Sequence, residues 1–453
     1  MRKEIHGMSM MNKSSTRFTT PLAGSILALA ILFPVGAWPG TLPADDGRKH
    51  LGVASCAASQ CHGSATTRSG SRVLQTEYVS WTRSDPHSGA YRTLLGKQSQ
   101  AIAARLGLKA AEKADLCLDC HADNVAQSLR GERFQISDGV GCESCHGGAG
   151  QWLSAHDDAG GTSRAASIEA GMYPADKVAD KARLCLSCHL GTKNKFATHR
   201  LMAAGHPRLT FELDTFTELW RTAGRQPHYQ VDQDYRERKE DAGHVLAWVS
   251  GVLADGRQRL SLVQDPAFLG GGLLPELGLF DCHACHRTMK VVRWQPRQRH
   301  RGLPRGMPYL NDSSLVMAMA VAKGSGSALA DELAAAVAAL HAATAASPAK
   351  MQAAAATLDD VLRRLQKHVW SEPNRIDSQL VLSALLEAGA HGEFADYVGA
   401  EQAFMAIQML AFESGDLGLQ NYLDILAAAV EDDERFRPAE FARLLRALNE
   451  ETL

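Results

Sequence analysis

The pattern of apolar and polar positions divides the chain into three stretches. The first holds one apolar run, "LAGSILALAILF" at residues 22–33, preceded by Arg2, Lys3, Lys13 and Arg17 and followed by Pro34, Gly36 and polar sequence. A basic start, a short apolar core and a small-residue exit read as a secretory signal peptide over residues 1–44, with cleavage between Ala37 and Ala44. The run is shorter than the roughly 20 residues that a membrane span needs, so an uncleaved anchor is the lesser reading. The middle stretch, residues 45–310, has few strand-like alternations and predicts short helices joined by loops. From residue 311 the sequence turns rich in alanine and leucine. There Leu358, Val361, Leu362, Leu365 and Val369 recur with a helical period. Breaks at "SPAK", "SEPN", "GAHGE" and "ESGDLG" predict about five helices, with Ser347 capping the one that Pro348 opens. The fold class expected is mainly α, with residues 311–453 an all-α helical domain.

Composition narrows the function classes. Lys plus Arg number 48 and Asp plus Glu 50, a net charge of −2, and no basic stripe stands out. Nucleic-acid binding has no support in this balance. A chain of 453 residues is long enough for two or three cores.

The cysteines change the picture more. An exported chain with ten cysteines predicts disulfides, but their positions argue otherwise. They form five pairs, each followed at once by histidine: "CAASQCH" (56–62), "CLDCH" (117–121), "CESCH" (142–146), "CLSCH" (185–189) and "CHACH" (282–286). At the chain's histidine frequency, five such coincidences have a probability on the order of one in ten million, which excludes accident. Disulfide frameworks impose no such rule. A zinc site cannot easily share one tetrahedron between two thiolates and the residue directly after the second.

Cys-x-x-Cys-His is the attachment signature of c-type haem, in which the thiols bond the porphyrin vinyl groups and the imidazole becomes the proximal iron ligand. One helical turn presents both sulfurs to one ring edge and turns the histidine under the iron. Four motifs have that spacing; the first has four residues between its cysteines. The expectation is five covalent haem c groups in residues 45–310. They attach at Cys56, Cys61, Cys117, Cys120, Cys142, Cys145, Cys185, Cys188, Cys282 and Cys285, with proximal ligands His62, His121, His146, His189 and His286. The short helices and loops then wrap on porphyrins, which replace much of an ordinary side-chain core.

The far side of each iron decides between carrier and enzyme. Nine further histidines lie in or beside this region: His50, His87, His156, His199, His206, His228, His244, His283 and His300. His87 follows a proline at the start of a helix-like run, and His199 and His206 are two turns apart if helical. His283, inside a motif, reads as structural. Methionine is the rival ligand, with Met172, Met202, Met289 and Met307 in reach. Bis-histidine ligation and low potentials are expected for most sites.

The order of these motifs resembles the cytochrome c-554 family. The resemblance rests on "GVGCESCHGG" followed by "QWLSAHDD", on an earlier "DPHSGAY", and on the flanking Cys-x-x-Cys-His motifs, over roughly residues 50–190. The family's namesake is a four-haem periplasmic protein that accepts electrons from hydroxylamine oxidoreductase. By match, the resemblance implies that His87 completes the haem on His146, that His156 completes the haem on His62, and that the iron at His121 is five-coordinate. The namesake also has a histidine just before its fourth motif, and "YPADKVADKARLCLSCH" has none. His199 or His206 is the substitute there, the other being free to close the site at His121. His228 and His300 are left as candidates for the fifth haem, which lies outside the resemblance.

The function expected is electron transfer between redox partner proteins by an exported pentahaem cytochrome of the periplasm, or of the extracellular face. The cytochrome c maturation machinery is a further partner, and membrane association comes only through a partner or an uncleaved N-terminal segment. The haem propionates favour partners with basic patches. Two rivals stand beside it: a reductase or oxidase of small nitrogen or sulfur compounds at one five-coordinate haem, and a subunit of an extracellular haem wire.

Overall fold

The computed structural model describes residues 41–68, 73–156, 163–222, 227–270, 275–286, 297–300, 303–304, 306–415 and 419–452. Most of the expected signal peptide lies outside these residues. Among the described residues the only β pairings are isolated bridges, such as His50 with Arg130 and Phe280 with Leu310. The rest is helix, turn and loop, which makes the protein mainly α. No described helix is long and apolar enough to cross a membrane.

Up to about residue 240 the elements are short. Helices such as Glu77–Ser84, Asp115–His121, Cys142–His146 and His199–Ala203 end on turns that the sequence supplies locally. Thr198 caps the last of them, its hydroxyl accepting from the Leu201 amide at 3.2 Å. Gly147, at φ +80°, ends Cys142–His146 in a conformation that other residues rarely adopt. The side-chain cores here are small: Leu94, Ala103, Ala111, Leu118 and Ala122 form one, and Ile102, Leu201 and Ala204 another.

The main core lies further along. The helix Gly243–Gln264 buries Trp248, Val249, Leu253 and Leu260 and packs against the helices Val178–His189, Ser313–Gly324 and Pro348–Ser371. One continuous apolar cluster runs from Trp248 to Leu448, so the change in composition near residue 310 is not a break in packing. The helix Gly243–Gln264 joins the fourth cysteine motif, carried by Val178–His189, to the helices that follow residue 310.

Those helices number seven among the described residues, against the five expected: Ser313–Gly324, Ala330–Thr344, Pro348–Ser371, Ser378–Ala390, Tyr397–Ser414, Gln420–Ala429 and Pro438–Thr452. The extra breaks fall after Gly324, in "GSGS", and in "EDDERFRP", where glycines and a charge run interrupt the apolar period. The periodic residues Leu358, Val361, Leu362, Leu365 and Val369 are all buried. Ser347 does cap its helix, accepting from the Lys350 amide at 3.3 Å.

Candidate functional site

All ten cysteines are free of disulfides. Four of the five motifs lie on helical turns, within Asp115–His121, Cys142–His146 and Val178–His189 and along Cys282–Cys285. The first motif, with its longer spacing, sits on turns after a 3-10 turn at Val53–Ser55. Cys56 lies beside Cys142, and Cys120 beside Cys188, so the first and third motifs are neighbours, as are the second and fourth.

Opposite each motif histidine stands a second imidazole. Ring centroids are 6.0 Å apart for His62 and His156, 6.5 Å for His121 and His206, 6.4 Å for His146 and His228, 6.1 Å for His189 and His87, and 6.1 Å for His286 and His199. Two imidazoles that touch lie much closer, as His300 and His341 do at 4.4 Å. A metal–nitrogen bond of about 2.0 Å on each side, plus a ring radius of about 1.1 Å on each side, puts two imidazoles across one metal at about 6.2 Å. The five spacings leave room for an iron and little else. The planes differ: 17° and 32° at His62 and His286, against 84°, 86° and 88° at His121, His146 and His189.

Nδ1 of several of these rings is held by the protein, which leaves Nε2 as the nitrogen suited to a metal. His62 donates to Glu77 Oε2 at 3.0 Å, His87 to Asp85 Oδ1 at 2.9 Å, His121 to the Ala90 carbonyl at 3.1 Å and His206 to the Pro207 carbonyl at 2.8 Å. The electrostatics divide accordingly. The hydrogen bond to Glu77 raises the pKa of His62, and that to Asp85 raises His87. Burial lowers His121, His189 and His228 and pushes His146 down to about 3, with His228 adding to the effect. Those four rings are held in the neutral form, which ligates metal.

Glu143, between the cysteines of the third motif, is 2% exposed and accepts from the amides of Leu51, Gly52 and Ala149, each at 2.7 Å. It ties the segment before the first motif to the third, and Gly148 lets His50 and Arg48 pass close by.

His87, His156, His199, His206 and His228 each face a motif histidine, but not always the one expected, and His300, the other candidate for the fifth haem, faces none. His156 lies opposite His62, the pairing implied by the family resemblance. His87 lies opposite His189 and not His146. The fourth motif has no histidine just before it, and the turn Pro86–Gly89 supplies one. His228 then stands opposite His146 instead of the fifth motif. His206 faces His121, the position for which the resemblance implied an open iron. His199 and His206 are not two turns of one helix: the helix ends at Ala203, and Gly205 at φ +107° reverses the chain, so the two rings serve different motifs.

The remaining histidines have other neighbours. His283 packs on Tyr397 at 5.8 Å. His300, with burial pushing its pKa down to about 4, contacts Asp312 beside His341. His300, Asp312 and His341 lie close enough for a metal ligand set, but the carboxylate already accepts from Arg299 and from both imidazoles. It reads as a buried ion network. His50 is fully buried, with Nδ1 on Asp123 at 2.8 Å.

Sequence reasoning missed Glu77 and Asp85. Only Asp85 leaves a local signal, two residues before His87 in "DPH", where its side chain also accepts from the His87 amide at 2.9 Å.

Comparison with known proteins gives one match: residues 55–147 fit the family of cytochrome c554 and c-prime. No curated protein and no solved structure matches the chain. The matched residues hold the first three cysteine motifs and "DPHSGAY", and they end within "GVGCESCHGG", before "QWLSAHDD". Over this segment the chain is similar to the cytochrome c554 family, a likeness that supports a c-type cytochrome with covalently bound haem, working in electron transfer.

Proposed function

We propose that the protein is an exported pentahaem electron carrier in which every iron has two histidine ligands. The pairs are His62 with His156, His121 with His206, His146 with His228, His189 with His87, and His286 with His199. The observation that carries the reading is the repeat of one spacing, 6.0 to 6.5 Å, at all five motifs. An iron with both axial positions filled by imidazole exchanges electrons without binding a substrate, so a chain of such irons relays electrons between partner proteins. The adjacency of the first with the third motif, and of the second with the fourth, supports short haem-to-haem steps. Export rests on the N-terminal apolar run and on the oxidative attachment chemistry.

The test is a pyridine haemochrome count with electron paramagnetic resonance of the oxidised holoprotein. Five haems per chain, all low-spin, are expected. Near-parallel imidazoles split the iron d orbitals that hold the unpaired electron, whereas perpendicular ones leave them almost degenerate. The spectrum should therefore divide into two ordinary rhombic signals, from the first and fifth haems, and three highly anisotropic ones. A high-spin signal amounting to one iron, or fewer than five haems, would overturn the reading.

A further inference from the structure

We propose that Glu77 and Asp85 set the potentials of two irons, holding the first and fourth haems below the second. The inference rests on the five-haem, bis-histidine reading above. A ligating imidazole that donates its other N–H to a carboxylate becomes more basic and binds the metal more strongly. The adjacent negative charge also favours Fe(III), which carries one positive charge more than Fe(II). Both effects lower the reduction potential.

The structure supplies such a carboxylate at two pairs and withholds it at a third. At the first motif, His62 donates to Glu77 Oε2 at 3.0 Å; at the fourth, His87 donates to Asp85 Oδ1 at 2.9 Å. At the second, both rings donate to neutral acceptors, His121 to the Ala90 carbonyl at 3.1 Å and His206 to the Pro207 carbonyl at 2.8 Å. A peptide carbonyl orients the ring but brings no net charge.

The two carboxylates are fixed in place. Glu77 Oε1 accepts from the Gln75 amide at 3.1 Å, and Asp85 Oδ1 from the His87 amide at 2.9 Å. Their side chains are only 18% and 10% exposed, so bulk salt screens them less than it would a surface pair. They are positioning and tuning groups that act on the iron through the imidazole. In each reduction one electron passes from a chemical reductant to Fe(III), giving Fe(II) with both imidazole bonds kept.

The experiment is a redox titration of purified holoprotein, frozen at set potentials and read by electron paramagnetic resonance, for the parent, Glu77→Gln and Asp85→Asn. Both substitutions keep an oxygen acceptor and remove the charge. Glu77→Gln should raise the midpoint of one rhombic signal, and Asp85→Asn that of one highly anisotropic signal. A tenfold change in the reduction equilibrium, about 59 mV for one electron, is the expected scale. The other four steps should stay where they are. Unchanged midpoints, a downward shift, or both variants moving the same class of signal would overturn the proposal. Failure of the underlying reading looks different: the parent itself would lack five low-spin haems. If Glu77→Gln does not yield holoprotein, Asp85→Asn decides alone.

Discussion

Replacing Asp312 with alanine is expected to destabilise the protein by about 3–5 kcal/mol, the usual cost of breaking a buried ion pair by removing one partner. Asp312 is 2% exposed at the start of the helix Ser313–Gly324. It accepts from Arg299, from His341 at 2.9 Å and from His300 at 3.4 Å. Without the carboxylate, Arg299 keeps Glu393 but faces a buried gap beside two imidazoles. Denaturant unfolding followed by the helical circular dichroism signal measures the loss. Asp312→Asn should cost less, and Asp360→Ala, which removes an exposed partner of Arg364, less than about 1 kcal/mol. A cost for Asp312→Ala as small as that of Asp360→Ala would mean the network holds nothing together.

The pH dependence has a definite sign. Burial pushes the Asp312 carboxyl up, but Arg299 and the hydrogen bonds from His300 and His341 outweigh burial and hold it well below its usual value. A depressed carboxylate contributes stability above its unfolded pKa, so this contribution is complete throughout the neutral range. His300 behaves in its own way. Buried and held neutral, with a folded pKa of about 4 against 6.5 unfolded, it adds stability above pH 6.5 that is lost as pH falls toward 4.

The second large effect is spectroscopic. His206→Ala is expected to convert one low-spin iron per chain to high spin and to let the reduced protein bind carbon monoxide at that site. His206 stands 6.5 Å from His121. The substitution would create at His121 the five-coordinate haem that the family resemblance implies. A spectrum that stays wholly low-spin would mean that His206 is not the ligand. Retention of five haems in the pyridine haemochrome count separates ligand loss from misfolding.

How much of this was legible depends on how local each feature is. The attachment motifs were plain because cysteines and histidine fall within one turn, and their chemistry demands adjacency. The identity of the five opposing histidines was legible too, since few others lie in the region. Their pairing was not. His87 could be matched to His146 only by analogy, and the fold instead uses it at His189, where the family's own histidine is missing. His228 looked like a stray in "QPHY" yet stands opposite His146, whose pKa burial pushes down to about 3. Glu77 was invisible because nothing in a sequence relates it to His62 fifteen positions earlier. The apolar period located the later helices, but not that Trp248, well before the change in composition, is part of the same core.

The histidine pairs have a consequence for how the molecule is made. Each joins positions roughly 80 to 100 residues apart, so every closure is non-local. Cofactor attachment needs only a short motif and can proceed on an extended chain. A chain that emerges N-terminus first meets its sites unequally. The first three must wait for His156, His206 and His228, all downstream, while the fourth and fifth find His87 and His199 already delivered. With the ligand pairs proposed above, a nascent chain that had not yet delivered residue 228 would carry incompletely ligated irons, open to oxygen, peroxide or nitric oxide. On that proposal the interval between attachment and closure would be its most vulnerable stage, and His228 the residue that ends it for the first three sites.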